Sequence, residues 1–332
     1  MKSFSTVLLA AMFLCPAFAQ SLPCTPPCDT GATFIPAGTF AGQNGYTRQW
    51  RAYIPAGITN TSNVSVLFYL HGHTKDDFSS PPYNQFWNNN FNGNGSLRKF
   101  AVAYGVIGVY LISGPWIQSE APPIAACTSG SCEWFWDAYE TDSYFTEPPG
   151  DLAYIQYVMK TLVPSWTSGT TTNYLMGFSD GAFMAEYYAA INPGDIAGLA
   201  DFSGETTLHQ SSVVALPNSA GNVKVYVQHG DDDTIVNYCG GKALNIGYGL
   251  LQYPGTDTSF NYWANGMRCR KVIPETALCT GGSPNGVALK TATACAGGSV
   301  EAVDIIGGKH TVPTCCGAGT QVANMWEYMT TP

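Results

Sequence analysis

Thr172-Asn173-Tyr174-Leu175-Met176-Gly177-Phe178-Ser179-Asp180-Gly181-Ala182-Phe183-Met184 is the stretch on which the fold turns. Thr172–Met176 is short, apolar and rich in β-branched or aromatic residues, as a buried strand requires. Ala182–Ile191 follows directly and reads as a helix. Between them Gly177-Phe178-Ser179-Asp180-Gly181 is a G-x-S-x-G pentapeptide, set strand before and helix after, which is the context of a nucleophile elbow. Such a turn strains the serine backbone, and glycine on each side removes Cβ clashes with the adjoining strand and helix. Ser179 Oγ is then expected above the sheet, at the positive end of a helix dipole.

Working outward, four more apolar runs end in Gly or polar turns: Val64–Leu70, Val106–Ile112, Val223–Gln228 and Val300–Ile306. Leu152, Ile155, Val158/Met159 and Leu162 recur at helical spacing, and Gln321–Met329 reads as a closing helix. Alternating strand and helix predicts an α/β fold with a mostly parallel central sheet and helices on both faces. Gly255–Gly298 is Gly-rich, carries cysteines and has poor periodicity, which predicts an insertion or a set of long stapled loops. No internal repeat and no long Ser/Thr/Pro linker divides the chain, so residues 20–332 read as one catalytic domain.

Composition narrows the partners. The 332 residues hold 14 Lys+Arg against 23 Asp+Glu, a net charge of −9, and only 11% are charged, against roughly 25% usually. An acidic chain without basic blocks argues against nucleic acid or an anionic membrane. With 36 Gly, 21 Pro and 19 Tyr, the surface is expected to be loop-rich and uncharged. Lys2, the apolar run Val7–Phe13 and Ala17-Phe18-Ala19 read as a secretory leader, residues 1–19, cleaved after Ala19. Loss of Cys15 turns eleven cysteines into ten, an even set that export favours as disulfides. Cys24 with Cys28 and Cys127 with Cys132 are expected local pairs; neither has a nearby His, which weighs against a metal. Asn60, Asn63 and Asn94 head glycosylation sequons.

A serine needs a base to act as a nucleophile near neutral pH. Where serine stands on such an elbow, an acid and then a histidine follow in chain order. Of the five histidines, His310 follows the strand Val300–Ile306 through a Gly-Gly turn and is the expected base. His209 and His229 leave less room for an intervening acid. The acid is expected among Asp231, Asp232 and Asp233, after Val223–Gln228, with Asp201 as an outside candidate. It would accept the imidazole Nδ1–H and hold the tautomer. His71-Gly72-His73-Thr74 ends an early strand and is expected to supply one oxyanion donor, the N–H of His73 or alternatively Thr74; the N–H of Asp180 is the second. The side chains of His71 and His73 are expected to brace the loop.

Together these residues resemble the secreted polyhydroxybutyrate-depolymerase-like esterases, a group of α/β-hydrolases that includes feruloyl and acetylxylan esterases. The resemblance rests on Leu70-His71-Gly72, Cys132-Glu133-Trp134-Phe135-Trp136, Asp151, the elbow followed by Met184, His229-Gly230 with Asp233 and Val236, Trp263 with Asn265-Gly266 and Cys269, and Gly307-Gly308-Lys309-His310-Thr311. It spans roughly residues 50–330 in the family's order. The family's H-G-x-x-D-x-x-V pattern selects Asp233 among the three aspartates. This chain departs at Asp137–Pro149, at Gly255–Gly298 and at His73, where the family often has Cys. The resemblance implies an α/β-hydrolase fold with disulfide-stapled loops, a Ser179-His310-Asp233 triad, no metal and no cofactor. It also implies esters of plant-cell-wall polysaccharide as substrates, with polyhydroxyalkanoate as runner-up.

Two expectations concern the surroundings of the nucleophile. Trp116, Trp134 and Trp136 lie after the strand Val106–Ile112, where loops border the crevice of an open sheet, and are expected either to contact substrate or to pack under a long loop. Cys239 follows Asp233, and Cys315-Cys316 follow His310, so a disulfide between these loops is expected to staple acid to base. A secreted monomer acting on a polymeric or oligomeric ester is the expected whole; the rival is a silent hydrolase relative that binds carbohydrate.

Overall fold

The apolar runs become strands covered on both faces. The computed structural model describes residues 33–41, 47–58, 63–73, 97–116, 133–136, 138, 150–167, 169–206, 223–242, 252–280, 286–311 and 320–331. In chain order the elements are β1 (Thr33–Ala41), β2 (Thr47–Ile54), β3 (Val64–Leu70), α1 (Leu97–Tyr104), β4 (Ile107–Leu111), β5 (Gly114–Trp116), β6 (Glu133–Phe135) and α2 (Asp151–Tyr157). Then follow β7 (Thr171–Phe178), α3 (Asp180–Ile191), β8 (Gly198–Phe202), β9 (Lys224–Gly230), β10 (Gly241–Lys242), β11 (Gln252–Tyr253), α4 (Thr256–Gly266), β12 (Lys271–Thr280), β13 (Gly286–Thr293), β14 (Ser299–Ile306) and α5 (Thr320–Thr330).

Ten strands form one sheet in the order β1-β2-β4-β3-β7-β8-β9-β14-β13-β12. The middle, β4-β3-β7-β8-β9-β14, is parallel throughout. Antiparallel pairs close both edges. Side chains alternate between two cores. Val66, Phe68 and Leu70 of β3 pack with Leu175, Val225 and Val300 beneath α2, α3 and α4. Leu67 and Tyr69 face the opposite way, with Met176, Tyr226 and Ile305 beneath α1 and α5. Parallel strands buried this way read as continuous apolar runs, which is why they were legible.

Helix α2 runs past its expected end. It continues through a π turn at Val158–Leu162 into a last turn, Val163–Trp166. Pro164 has no N–H to donate and its ring crowds the carbonyl four residues back, so the ladder widens just before it. Asp151, in the first turn of α2, pairs with Arg48 of β2 at 2.7 Å, both side chains buried. Helix α3 is buried from Asp180 to Ala189, so it needs no polar face.

The tract Gly255–Gly298 is not a set of loops. It holds α4 and the antiparallel hairpin β12–β13, which extends the sheet. Its alternation is hidden because β12 is an edge strand whose register shifts twice, between Ile273 and Thr276 and between Ala277 and Cys279. Val272 and Ile273 are exposed on that edge. A disulfide, Cys269–Cys295, ties the end of α4 to the β13–β14 turn.

Candidate active site

Ser179 stands between β7 and α3 with φ 54° and ψ −123°, a conformation that costs a non-glycine residue about 1–3 kcal/mol. The elbow is held on several sides. Ser179 N donates to Phe202 O of β8 at 2.8 Å, and Ser179 O accepts from Ala182 N at 2.8 Å as α3 starts. A Cβ on Gly177 would lie 2.2 Å from Gly181 O, and one on Gly181 would lie 2.4 Å from both Leu70 O and His71 O. Only glycine permits that approach.

His310 reaches Ser179 from the turn after β14. Ser179 Oγ–H donates to His310 Nε2 at 2.8 Å, and His310 Nδ1–H donates to Asp233 Oδ2 at 2.7 Å. Asp233 is buried, while Asp231 and Asp232 are exposed. Its other oxygen, Oδ1, accepts from Ile235 N at 2.8 Å and Val236 N at 3.0 Å. Burial pushes the Asp233 carboxyl up, but hydrogen bonds from His229 and His310, the His310 charge and the Ile235 N–H outweigh it and hold the group well below the usual carboxylate range. The Phe178 ring lies beside His310, with centroids 5.2 Å apart.

His229 is buried beside Asp233. Its Nε2 lies 2.8 Å from Val236 O and 3.4 Å from Asp233 Oδ2. Sequence reasoning weighed it only as a base; its place four residues before Asp233 in H-G-x-x-D was the available signal. Asp201 does not reach His310. Its Oδ1 accepts from Gly204 N at 2.8 Å, and burial, then the charge and hydrogen bond of Glu186, pushes it well above the usual range. Glu205 accepts from Gly255 N at 2.7 Å and from Thr256 Oγ1 at 3.1 Å, holding the start of α4. His209 lies outside the described residues.

The His71-Gly72-His73 turn sits against the elbow: a Cβ on Gly72 would come within 3.1 Å of Ser179 Cβ. His73 closes that turn, and Thr74 lies outside the described residues. His71 is buried, and burial brings its pKa down to about 4. Neutral, it donates from Nδ1 to Gly72 O at 2.6 Å and accepts from Ser113 N at Nε2, 3.1 Å. It braces the turn.

Two expectations are corrected. Trp136 is fully buried: its Nε1–H donates to His71 O at 2.8 Å, and its ring lies near those of His71 and Tyr154, so no face is open to substrate. Trp116 and Trp134 lie on the paired strands β5 and β6, and their side chains are outside what is described. Cys239 is exposed and not disulfide-bonded, so the expected bond to Cys315 or Cys316 is not formed. Hydrogen bonds join the two loops instead. Asp231 Oδ1 accepts from Gly307 N at 2.5 Å, Asp231 N donates to Ile305 O at 3.1 Å, and Asp232 N donates to Gly308 O at 2.9 Å. A Cβ on Gly230 would lie 2.3 Å from Gly308 O, so the loops already touch. Cys315, Cys316, Cys24, Cys28, Cys127, Cys132, Asn60, Asn94 and the leader 1–19 lie outside the described residues; Asn63 is exposed. No group of three His, Cys, Asp or Glu suited to a metal occurs among the described residues.

A strained serine after a central strand, hydrogen-bonded to histidine and through it to a buried aspartate, is an arrangement that can activate the serine hydroxyl as a nucleophile. A family model described as phospholipase/carboxylesterase matches residues 116–252. No curated protein matches the chain. Among solved structures, an acetyl xylan esterase from Aspergillus awamori is 17% identical, covers 89% of this chain and 99% of its own, and superposes with a TM-score of 0.54. An S-formylglutathione hydrolase from Agrobacterium tumefaciens is 12% identical over 85% of this chain and 90% of its own, TM-score 0.49. A feruloyl esterase module from Clostridium thermocellum, complexed with sinapinate, is 17% identical over 66% of this chain and 72% of its own, TM-score 0.41. The fold is that of the α/β-hydrolases.

Proposed function

We propose that this chain is a secreted serine esterase acting on feruloyl or acetyl esters of plant-cell-wall polysaccharide, with Ser179, His310 and Asp233 as its triad. The observation that carries the mechanism is the unbroken relay from Ser179 Oγ through His310 to Asp233, at 2.8 and 2.7 Å. His310 Nε2 removes the Ser179 proton as Oγ attacks the ester carbonyl. The N–H groups of His73 and Asp180 stabilise the tetrahedral oxyanion. His310 then gives its proton to the leaving alcohol; in the second half it takes a proton from the water that attacks the acyl-enzyme and returns it to Ser179 Oγ as the acid leaves. Asp233 stays ionised, holds the tautomer and stabilises the transient imidazolium. The chemistry asks for no metal or cofactor.

The substrate class rests on the family resemblance and on the likeness in fold to an acetyl xylan esterase. Secretion rests on the leader and the cysteine count, and a disulfide at Cys269–Cys295 fits an oxidising compartment. The partner is a polymeric or oligomeric ester, met by a monomer. A panel of methyl ferulate, acetylated xylan and a short hydroxybutyrate oligomer tests the substrate. Turnover confined to the hydroxybutyrate oligomer would replace this reading with polyhydroxyalkanoate depolymerisation; turnover of none, with no reaction toward a serine-directed phosphonate, would leave a carbohydrate-binding relative.

A further inference from the structure

An oxyanion hole works only if its two donors are held at the right separation. Here they come from chain segments far apart in sequence: the His71-Gly72-His73 turn after β3, and Asp180 at the first turn of α3. Trp136 is bonded to both. Its ring Nε1–H donates to His71 O at 2.8 Å, and its own backbone N–H donates to the Asp180 carboxylate, Oδ2, at 2.6 Å. Both residues are fully buried, so neither bond competes with water. The Trp136 ring is itself fixed, with centroids 5.5 Å from His71 and 6.5 Å from Tyr154. Tyr154 in turn is anchored through its hydroxyl to Gln49 O.

We propose that Trp136 and the Asp180 carboxylate are positioning residues of the oxyanion hole, a clamp that sets the His73 N–H against the Asp180 N–H. The inference rests on the esterase reading above. Asp180 thereby has two roles, one for its N–H and one for its side chain. Its carboxylate also sits at the N-terminus of α3, where the helix dipole favours negative charge. The charge-assisted bond to Trp136 N is the stronger kind, so it can carry the load of the β6 segment onto the elbow. The clamp acts on the transition state, since the donors tighten on the oxyanion and not on the ground-state carbonyl.

The test uses the full chain, with Trp136→Phe, which keeps one aromatic ring and removes the indole N–H, and Asp180→Ala and Asp180→Asn. Turnover of p-nitrophenyl acetate and inhibition by phenylboronic acid are read together. The boronic acid accepts Ser179 Oγ as a fourth ligand, the serine proton passes to His310, and a boron-bound oxygen occupies the hole. For Trp136→Phe and Asp180→Ala, kcat is expected to fall roughly ten- to hundredfold, with KM within about threefold and the boronate Ki raised in step. Asp180→Asn retains an acceptor oxygen and is expected to recover part of the loss. Folded Trp136→Phe and Asp180→Ala with wild-type kcat and Ki, or with a loss confined to KM, would overturn the clamp. If those two variants do not fold, Asp180→Asn decides: an unchanged boronate Ki overturns the proposal, a raised one supports it. A Ser179→Ala variant that still turns over ester would sink the esterase reading itself; an inert Ser179→Ala beside wild-type clamp variants would sink the clamp alone.

Discussion

Replacing Asp233 with Asn changes one atom and should disable the site through a tautomer. In the native loop Oδ1 accepts two backbone N–H groups, from Ile235 and Val236. An amide NH2 placed there would face two donors, so the Asn oxygen takes that position. The NH2 must then occupy the Oδ2 position, which faces His310 Nδ1 at 2.7 Å and His229 Nε2 at 3.4 Å. To accept from that NH2, His310 must move its proton to Nε2. The nitrogen facing Ser179 Oγ, 2.8 Å away, then carries a proton and cannot take another. Loss of the correct tautomer costs about 10⁴ in kcat, or about 5 kcal/mol of transition-state stabilisation at 1.36 kcal/mol per tenfold. The assay is p-nitrophenyl acetate turnover from pH 5 to 9, with far-UV circular dichroism to confirm folding. Asp231→Asn and Asp232→Asn should be much milder, since both side chains are exposed. A folded Asp233→Asn within about tenfold of wild type, or a greater loss in Asp201→Asn, would refute the reasoning.

Three further outcomes are expected. Ser179→Ala should lower kcat by about 10⁴–10⁶ with little change in melting temperature, measured on the same ester and by thermal unfolding. Cys239→Ser should leave activity and melting temperature unchanged, because Cys239 is exposed and unbonded, whereas Cys269→Ser removes a bond closing a separation of 26 residues and should destabilise by about 3 kcal/mol in chemical denaturation. Burial raises the Glu301 pKa to about 7, so the folded state holds that proton more tightly than the unfolded chain. The stability from it is full below the ordinary glutamate value of 4.5 and is lost as pH rises to about 7. Glu301→Gln should therefore raise the melting temperature relative to wild type at pH 8 and not at pH 4.

Much of this protein was already determined by local sequence. Strands β3, β4, β7, β9 and β14 were readable because burial on both faces demands unbroken apolar runs, a property of neighbours in the chain. The elbow was readable because its glycines answer a local steric demand, seen in the 2.2–2.4 Å contacts a Cβ would make at Gly177 and Gly181. His310 followed from chain order and a Gly-Gly turn. What only the tertiary structure decided depends on contacts between distant segments. Three adjacent aspartates share one composition; the family resemblance singled out Asp233, and the fold supplies the physical reason, burying it between His229 and His310 while turning Asp231 to Gly307 N. A tryptophan after β4 has the same local signature whether it meets substrate or a backbone carbonyl; packing made Trp136 the partner of His71 O and Asp180. Cysteines near the triad suggested a covalent staple, but the acid and base loops already lie within backbone contact at Gly230 and Gly308, and hydrogen bonds join them. The β12–β13 hairpin escaped notice because an edge strand with register shifts needs no regular alternation; its pairing is set by β14, and no feature within its own residues announces it.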